Sequence, residues 1–396
     1  MVHRVALHVG CPKTGTTGIQ HRLFMNPTAL AAQGFLYPSS REDAHFLAAV
    51  DVLGIQWGGQ ISVDAVDAWD HLAADARASE LDVIISHELL ARATPEQIER
   101  ITTSFGDAEV SVVITARDLG RLIPAEYQEH LKYRNVFTYG TFIDRLRDPD
   151  VDDRAGELAR LTWAVQDVPA LAARWAAAVG DERVTIVTVP AKGAPRDELL
   201  HRFGAALGLD ADVLDQDGEG EDKENRSLGA AEVEWLRRFN ERFGYKMKDP
   251  QYSSFVRTRL VRRAASGEAA PAALILPPRE YAWVEQRAHA WVDALKSHGY
   301  RVIGDLAELI PAAPDEMMLD PDSIADDELF ETGLRILVGS LEDYQDLMEQ
   351  SVVPPPPPPV VPERWKDRVV RAVEKRTIGQ RALGVWRARH WISRST

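Results

Sequence analysis

The feature that most constrains this chain is a strand, a glycine-bounded loop and a helix start, all within its first 25 residues. Residues 5–9 (VALHV) form an apolar run typical of a short buried strand. The loop 10–17 (GCPKTGTT) follows, and then Ile19, Leu23 and Phe24 recur at helical spacing. The amides of such a loop converge on a ligand, and the helix dipole places partial positive charge behind them. The pattern therefore predicts an anion-binding loop.

The loop departs from the pattern of nucleoside triphosphatases, G-x-x-x-x-G-K-[ST]. Gly10 and Gly15 have the required spacing, but Thr16 stands where those proteins carry the helical lysine. The lysine of this chain, Lys13, lies inside the loop instead. A triphosphate needs Mg²⁺ and the helical lysine to offset its charge. A phosphosulfate carries less charge on the transferred group, so one loop lysine without a metal can serve it.

Residues 12–17 (PKTGTT) resemble the 5′-phosphosulfate loop of sulfotransferases that use 3′-phosphoadenosine 5′-phosphosulfate (PAPS), whose signature is P-K-[ST]-G-T-[ST]. The resemblance follows the family's motif order over residues 1–210 and is strongest to the bacterial branch. It implies the sulfotransferase fold, a relative of P-loop kinases, with PAPS as co-substrate. Lys13 is then the cation beside the leaving oxygen. The donor-binding set that the resemblance implies in this loop is Pro12, Lys13, Thr14, Gly15, Thr16 and Thr17.

The acceptor base is expected at the end of a second strand, where His87 and Glu88 follow residues 81–86 (LDVIIS). Partial burial can bring an imidazole or a carboxylate to a pKa suited to accepting a proton. Different branches of the sulfotransferases use His or Glu in this role, and the bacterial branch tends to place Glu after such a strand. We therefore expect Glu88 to be the base, with His87 as the alternative.

A third strand end carries Arg117, which matches the family's arginine for the 3′-phosphate of the nucleotide. The family adds a serine eight residues later, but this chain has Ala125 there. Arg121 and Gln128 fall on roughly the same helical face as Arg117 and are the expected substitutes. A planar guanidinium binds phosphate through two hydrogen bonds, so Arg117 alone can retain most of the interaction.

Strand-like and helical segments alternate along the first half of the chain. This order predicts an α/β fold with a central, mainly parallel sheet flanked by helices. Ligands of such sheets bind outside the carboxyl ends of the strands, where all three candidate segments lie. The predicted strands are 5–9, 35–37, 81–86, 109–115 and 183–189, and the predicted helices include 63–78, 119–132, 168–179, 232–243 and 279–298.

Composition divides the chain into four predicted regions. Residues 1–312 form the sulfotransferase-like domain, and 313–353 form an acidic helical segment. Six consecutive prolines mark 354–362 as a semi-rigid polyproline linker. Residues 363–396 form a basic amphipathic tail with ten Lys or Arg and three Asp or Glu. That tail has a net charge of +7, whereas the whole chain has −15.

The charge distribution indicates which kinds of partner the chain can bind. An acidic body argues against nucleic-acid binding. The tail interleaves arginines with apolar and aromatic residues, a pattern that predicts a helix lying on an anionic membrane surface, with docking on the acidic body or on a partner subunit as the alternative. The single cysteine, Cys11, fits a reducing compartment. Since no apolar run could span a bilayer, we expect a cytoplasmic protein, peripheral at the inner face of the membrane through its tail.

Three functions remain open from the sequence. The first is sulfuryl transfer from PAPS to a hydroxyl or amine of a carbohydrate, a glycolipid or a small metabolite. The second is an atypical P-loop nucleotide kinase, which Thr16 at the lysine position disfavours. The third is a non-catalytic nucleotide-binding scaffold, for which Ala125 would be a sign of lost function. The histidines show no metal-ligand spacing, so no metal site is predicted. The sequence does not determine the oligomeric state.

Overall fold

The computed structural model describes residues 3–56, 63–214, 228–254, 256, 273–312 and 320–351. Within these ranges the chain forms one six-stranded sheet in the order β2-β3-β1-β4-β5-β6, and all five neighbouring pairs are parallel. The predicted α/β class with a central parallel sheet is therefore confirmed. The strands are β1 (Arg4–His8), β2 (Phe35–Leu36), β3 (Asp82–Ser86), β4 (Glu109–Ala116), β5 (Val184–Thr188) and β6 (Arg301–Ile303).

Helices connect the strands and extend beyond the sheet. Short 3-10 turns accompany them, among them Glu88–Arg92, which follows β3 directly. The described α-helices are α1 (Thr16–Met25), α2 (Pro27–Ala32), α3 (Ala44–Val52), α4 (Ala68–Ala78), α5 (Pro95–Thr103), α6 (Leu119–Lys132), α7 (Tyr139–Arg147), α8 (Arg154–Gln166), α9 (Val168–Val179), α10 (Glu198–Leu207), α11 (Ala230–Phe243), α12 (Asp249–Tyr252), α13 (Tyr281–His298) and α14 (Asp326–Ser351).

Both faces of the sheet are buried. Ile84 and Val113 belong to the apolar cluster on one face, whereas Ile85 and Val112 belong to the larger cluster on the other. Successive side chains of a strand point to opposite faces, so a strand covered on both sides must be apolar at nearly every position. That is why the central strands of this chain are rich in Val and Ile on both faces.

The central strands β3, β1 and β4 bring the three candidate segments together. His8 at the end of β1 is in register with Ser86 on one side and with Val113 on the other. The segments that follow these three strands therefore leave the same edge of the sheet side by side. Two details differ from the sequence predictions. The predicted helix 63–78 is interrupted at Asp67, which has a φ of 59°, and the short edge strand β6 was not predicted.

The described residues up to Ser340 belong to one compact unit. The acidic helix predicted beyond the sheet domain is present as α14, which confirms a helical extension. The polyproline linker and the basic tail, 354–396, lie outside the described residues, so those assignments and the boundary at 312 stay predictions. No helix in the described ranges combines the length and the apolar character that a bilayer crossing requires.

Candidate active site

The loop between β1 and α1 uses left-handed backbone conformations at three positions. Gly10, Lys13 and Gly15 have φ values of 54°, 63° and 85°. A Cβ atom on Gly10 would lie 3.0 Å from Cγ2 of Thr16, and one on Gly15 would lie 2.7 Å from Cδ2 of Leu199. Glycine is therefore required at both ends of the loop. Gly15 is also the N-cap of α1, and no side chain among the described residues caps that helix. Its first-turn amides are thus suited to an anionic ligand.

A buried chain of polar side chains anchors the loop to the sheet. The hydroxyls of Thr14 and Thr115 lie 2.6 Å apart, and the Thr14 hydroxyl also donates to the Cys11 carbonyl. His8 continues the chain, with Nε2 3.2 Å from Thr115 Oγ1 and Nδ1 2.8 Å from Ser86 Oγ. Burial lowers the pKa of His8 to about 4, so the ring is neutral at pH 7. The Thr14 hydroxyl is therefore engaged in holding the loop.

Lys13 is paired with a carboxylate that the sequence analysis did not single out. Its Nζ donates to Oε2 of Glu129 at 2.7 Å, and Nζ of Lys132 lies 3.3 Å from the same oxygen. Burial by itself would lower the pKa of Lys13, but Glu129 and Glu126 outweigh that effect and raise it. Burial would likewise raise the pKa of Glu129, but the two lysines hold it at about 2. Lys13 and Glu129 are therefore both charged at neutral pH.

Glu126 is a second carboxyl group beside the loop. The side-chain amide of Gln166 donates to Glu126 Oε1 at 2.7 Å and to the Pro12 carbonyl at 2.9 Å. Burial raises the pKa of Glu126, although the nearby Lys13 opposes the shift. Gln166 thus connects α8 to both the loop and α6.

One face of α6 forms a wall of the site, and its spacing was available in the sequence. This face begins at Ala125 and continues with the residues three, four and seven positions later, which are Gln128, Glu129 and Lys132. That spacing places all four side chains on one face of the helix. They all line the same cavity as the loop between β1 and α1. Gln128 was selected from this face by the sequence analysis, but Glu129 and Lys132 were missed.

The two candidates for the acceptor base are placed differently. His87 caps the 3-10 turn, because its Nδ1 accepts a hydrogen bond from the Leu89 amide at 3.2 Å. Glu88 receives a hydrogen bond from Nε2 of Gln20 at 3.0 Å. Burial by itself would raise the pKa of Glu88, but His87 and hydrogen bonds that include Gln20 and Thr16 lower it. Glu88 is therefore an ionised carboxylate, whereas the ring nitrogen of His87 that could accept a proton is already used.

Arg117, Gln128 and Arg121 occupy three different environments. Arg117 lines the cavity, donates to the Lys13 carbonyl at 3.1 Å, and has a buried Nε without a partner among the described residues. Gln128 also lines the cavity, and its Oε1 accepts from the Leu228 amide at 2.9 Å. The Arg121 guanidinium forms an ion pair with Asp118 and donates to the Pro190 carbonyl at 2.9 Å. Asp118 is the N-cap of α6, and it directs Arg121 toward the end of β5.

All of these segments open into one cavity of about 930 Å³. The loop contributes Lys13 and the start of α1, the end of β3 contributes Glu88, and the end of β4 contributes Arg117. The other lining residues named in the sequence analysis are Pro12, Gly15, Thr16, Thr17, His87, Ala125 and Gln128. The described part of the chain contains no group of three or more His, Cys, Asp or Glu side chains placed to hold a metal ion.

Two observations bear on whether the residues of the cavity fit a nucleotide phosphosulfate. The first-turn amides of α1 have no side-chain cap among the described residues, so they are available to the oxygens of an anionic ligand. The unpartnered Nε of Arg117 is a buried donor that a phosphate oxygen would satisfy. The carboxylates Glu88 and Glu129 oppose an anion, but each is engaged by a neighbouring donor, Gln20 for the first and Lys13 for the second.

Comparisons with known proteins add one structural likeness. No protein-family model matches the sequence, and no curated protein matches it. Among solved structures, the chain is similar to a sulfotransferase from Alicyclobacillus acidocaldarius, with 14% identity and a TM-score of 0.42. The match covers 76% of this chain and 97% of that one.

Proposed function

We propose that this protein is a sulfotransferase that moves a sulfuryl group from PAPS to a hydroxyl or amine of a small-molecule or glycolipid acceptor. The observation that carries the proposal is the convergence of Lys13, Glu88 and Arg117 on one cavity, next to an uncapped helix start. These three side chains supply a cation, a base and a phosphate ligand, which are the groups that the transfer needs.

When bound, PAPS supplies the sulfuryl group and leaves as 3′-phosphoadenosine 5′-phosphate. The amides of the loop and the hydroxyls of Thr16 and Thr17 are the proposed ligands of the phosphosulfate. Lys13 balances the negative charge that develops on the bridging oxygen as the bond from sulfur to that oxygen breaks. Arg117 holds the 3′-phosphate, with Gln128 beside it on the cavity wall.

Glu88 is the proposed base. As the acceptor oxygen bonds to sulfur, the acceptor proton passes to the Glu88 carboxylate. His87 contributes by fixing the turn that presents Glu88, since its Nδ1 is bound to the Leu89 amide. The proposed role of Arg121 is indirect, because its guanidinium is bound to Asp118 and to the Pro190 carbonyl. Through Asp118 it stabilises the start of α6, the helix that carries Gln128 and Glu129.

Titration calorimetry of the full chain separates this function from its alternatives. We expect 3′-phosphoadenosine 5′-phosphate to bind in the presence of a chelator, with ATP–Mg²⁺ binding more weakly. A preference for ATP–Mg²⁺ would indicate a kinase, and binding of neither would indicate a scaffold without this site. Mass spectrometry of sulfated metabolites in cells with and without the gene then identifies the product.

We also propose that the basic tail, residues 363–396, holds the enzyme on an anionic membrane surface at the cytoplasmic face. The support is its charge of +7 and its interleaved tryptophans and arginines. Each basic residue near such a surface contributes about 1 kcal/mol. The test is sedimentation with liposomes of neutral and anionic composition, comparing the full chain with one that ends at Val353. Binding that survives truncation, or that ignores lipid charge, would exclude this role.

A further inference from the structure

The cavity continues beyond the proposed donor site along one face of α8. Leu158, Leu161, Thr162 and Val165 line it, and their spacing of three, four and seven residues places them on a single helical face. Leu158 and Val165 are buried, whereas Leu161 is 41% exposed in spite of its apolar side chain. This face of α8 therefore presents an aliphatic strip to the cavity.

Two further apolar side chains, Leu89 and Phe46, line the cavity near the proposed base, and Arg92 at the end of the 3-10 turn lines it as well. Leu89 follows Glu88 in the 3-10 turn, and Phe46 of α3 lines the same cavity. The Phe46 ring lies against the His87 ring, with centroids 5.5 Å apart. An acceptor hydroxyl at Glu88 would therefore lie where the polar part of the cavity meets its apolar part.

Two polar side chains that line the cavity beside the aliphatic strip, Thr162 and His130, are engaged with each other. The Thr162 hydroxyl donates to the Leu158 carbonyl at 2.9 Å and lies 3.3 Å from Nε2 of His130. Burial lowers the pKa of His130 to about 4, so this ring adds no charge at pH 7. A sugar ring placed here would lose hydrogen bonds to water without replacing them, which is costly for each hydroxyl. An alkyl or aryl body would gain from burial at the same place.

We propose that the acceptor is a lipophilic alcohol, whose hydroxyl lies at Glu88 and whose alkyl or aryl body lies against Leu158, Leu161 and Val165. This inference rests on the proposed sulfotransferase function and narrows its acceptor class. The inference assigns acceptor specificity to α8. Donor binding stays with the loop and the strand ends.

The first test is an acceptor series of straight-chain primary alcohols from ethanol to octanol, with the full chain and PAPS. We expect kcat/KM to rise about fourfold per methylene until the apolar wall is covered. Glucose and mannitol are the polar comparison and are expected to react no faster than ethanol. A flat dependence on chain length, or faster transfer to the sugars, would overturn the assignment.

The second test replaces one side chain of the strip. Leu161→Ser is expected to lower kcat/KM for octanol about tenfold and to leave that for ethanol unchanged. Leu337→Ser is the matched control, because Leu337 is an exposed leucine of α14. An equal loss for both alcohols would mean that Leu161 does not contact the acceptor body.

A binding measurement separates failure of this inference from failure of the proposed function. Octanol binding to the protein without PAPS is followed by displacement of a fluorescent apolar probe, in Leu161→Ser and in the unaltered chain. Octanol binding that Leu161→Ser weakens, together with no transfer to any acceptor, would reject the function and retain the apolar site. Transfer to sugars without octanol binding would retain the function and reject the lipophilic acceptor.

Discussion

The two halves of the cavity are built from different parts of the fold. The half proposed for the donor comes from three adjacent strand ends. It carries Lys13 and Arg117, with Glu88 at its border, and each of these residues is held by contacts to a neighbouring segment. The half proposed for the acceptor comes from one face of α8 and carries aliphatic side chains. Charged groups must be positioned accurately to act on a reacting bond, and a sheet of buried parallel strands positions them well. An apolar wall has no such requirement, so the aliphatic face of α8 can vary in sequence as long as Gln166, at the end of the same helix, keeps its hydrogen bond to the Pro12 carbonyl of the loop.

The largest expected effect comes from the donor half, at Lys13. Lys13→Ala removes the cation at the leaving oxygen and should lower kcat by about 10²–10³, with every acceptor affected equally. Lys296→Ala, an exposed lysine in the last turn of α13, is the control. Steady-state kinetics on variants with unchanged circular dichroism make the comparison. A folded Lys13→Ala variant that keeps a third of the activity would end the assignment of the loop.

Glu88 lies where the two halves meet, and Glu88→Gln tests the base. We expect kcat to fall about 10²-fold while the affinity for 3′-phosphoadenosine 5′-phosphate stays unchanged, because a base acts on the acceptor. His87→Asn keeps a short polar side chain beside the turn and should cost less. If the His87 change proves the more damaging one with PAPS affinity intact, the roles of the two residues are reversed.

The Arg117→Ala variant tests whether the half proposed for the donor binds the 3′-phosphate. Arg117→Ala should weaken binding of 3′-phosphoadenosine 5′-phosphate by about 1.5–3 kcal/mol, the range for a charged hydrogen bond. Adenosine 5′-phosphosulfate lacks the 3′-phosphate and should lose much less affinity. Calorimetry with both nucleotides measures the two affinities. Equal losses of affinity would show that Arg117 does not contact the 3′-phosphate.

The buried chain of polar side chains that anchors the loop predicts that the free energy of unfolding depends on pH. The folded-state pKa of His8 is about 4, below the value of 6.5 for an unperturbed histidine. The unfolded chain therefore binds a proton as the pH falls below 6.5, and the folded chain does not until about pH 4. The contribution of His8 is complete above pH 6.5 and is lost between 6.5 and 4, by about 1–2 kcal/mol at pH 5. Urea unfolding at pH 7 and pH 5 measures this loss together with those of His45 and His130, because burial lowers their pKa values to about 4 as well.

The matched variant for this prediction is His8→Asn, which removes the titrating group. Its stability at pH 7 should be lower, but the part of the pH dependence that His8 causes should disappear. An unchanged pH profile in His8→Asn would show that other groups cause the loss.

The smallest expected effect concerns Glu129. Glu129→Gln removes a negative charge beside Lys13 and keeps the size of the side chain, so inorganic sulfate and 3′-phosphoadenosine 5′-phosphate should bind a few-fold more tightly, by about 1 kcal/mol. Calorimetry at low and high salt measures the change, which should shrink with salt. Weaker binding of both anions would mean that Glu129 positions Lys13 for the ligand.

Several parts of this arrangement could be read from the residues alone. The strands β1, β3, β4 and β5 are rich in Val and Ile because both faces of the sheet are covered, and this composition located each strand end to within one residue. The start of α1 could also be predicted from the sequence, because Gly10, Gly15 and the apolar spacing that follows them are local signals. These features depend on neighbours in sequence, which is why a single chain reveals them.

Other parts were missed because their partners are distant in sequence. β6 has only three residues and is recognisable by its pairing with β5. The pairing of Lys13 with Glu129 joins positions 116 residues apart, and no periodicity within either segment specifies it. The apolar face of α8 was missed although its spacing was visible, because only the cavity gives that face a role.

The sequence by itself determined the class of fold, the glycine-bounded loop at the start of α1 and the edge of the sheet where the candidate residues lie together. Tertiary structure decided which donors and acceptors are already satisfied there: Thr14 is bound to Thr115, Arg121 to Asp118, and Lys13 to Glu129. The physical reason is that strand and loop propensities are local, whereas hydrogen bonds and ion pairs of side chains depend on distances that only the packed chain defines.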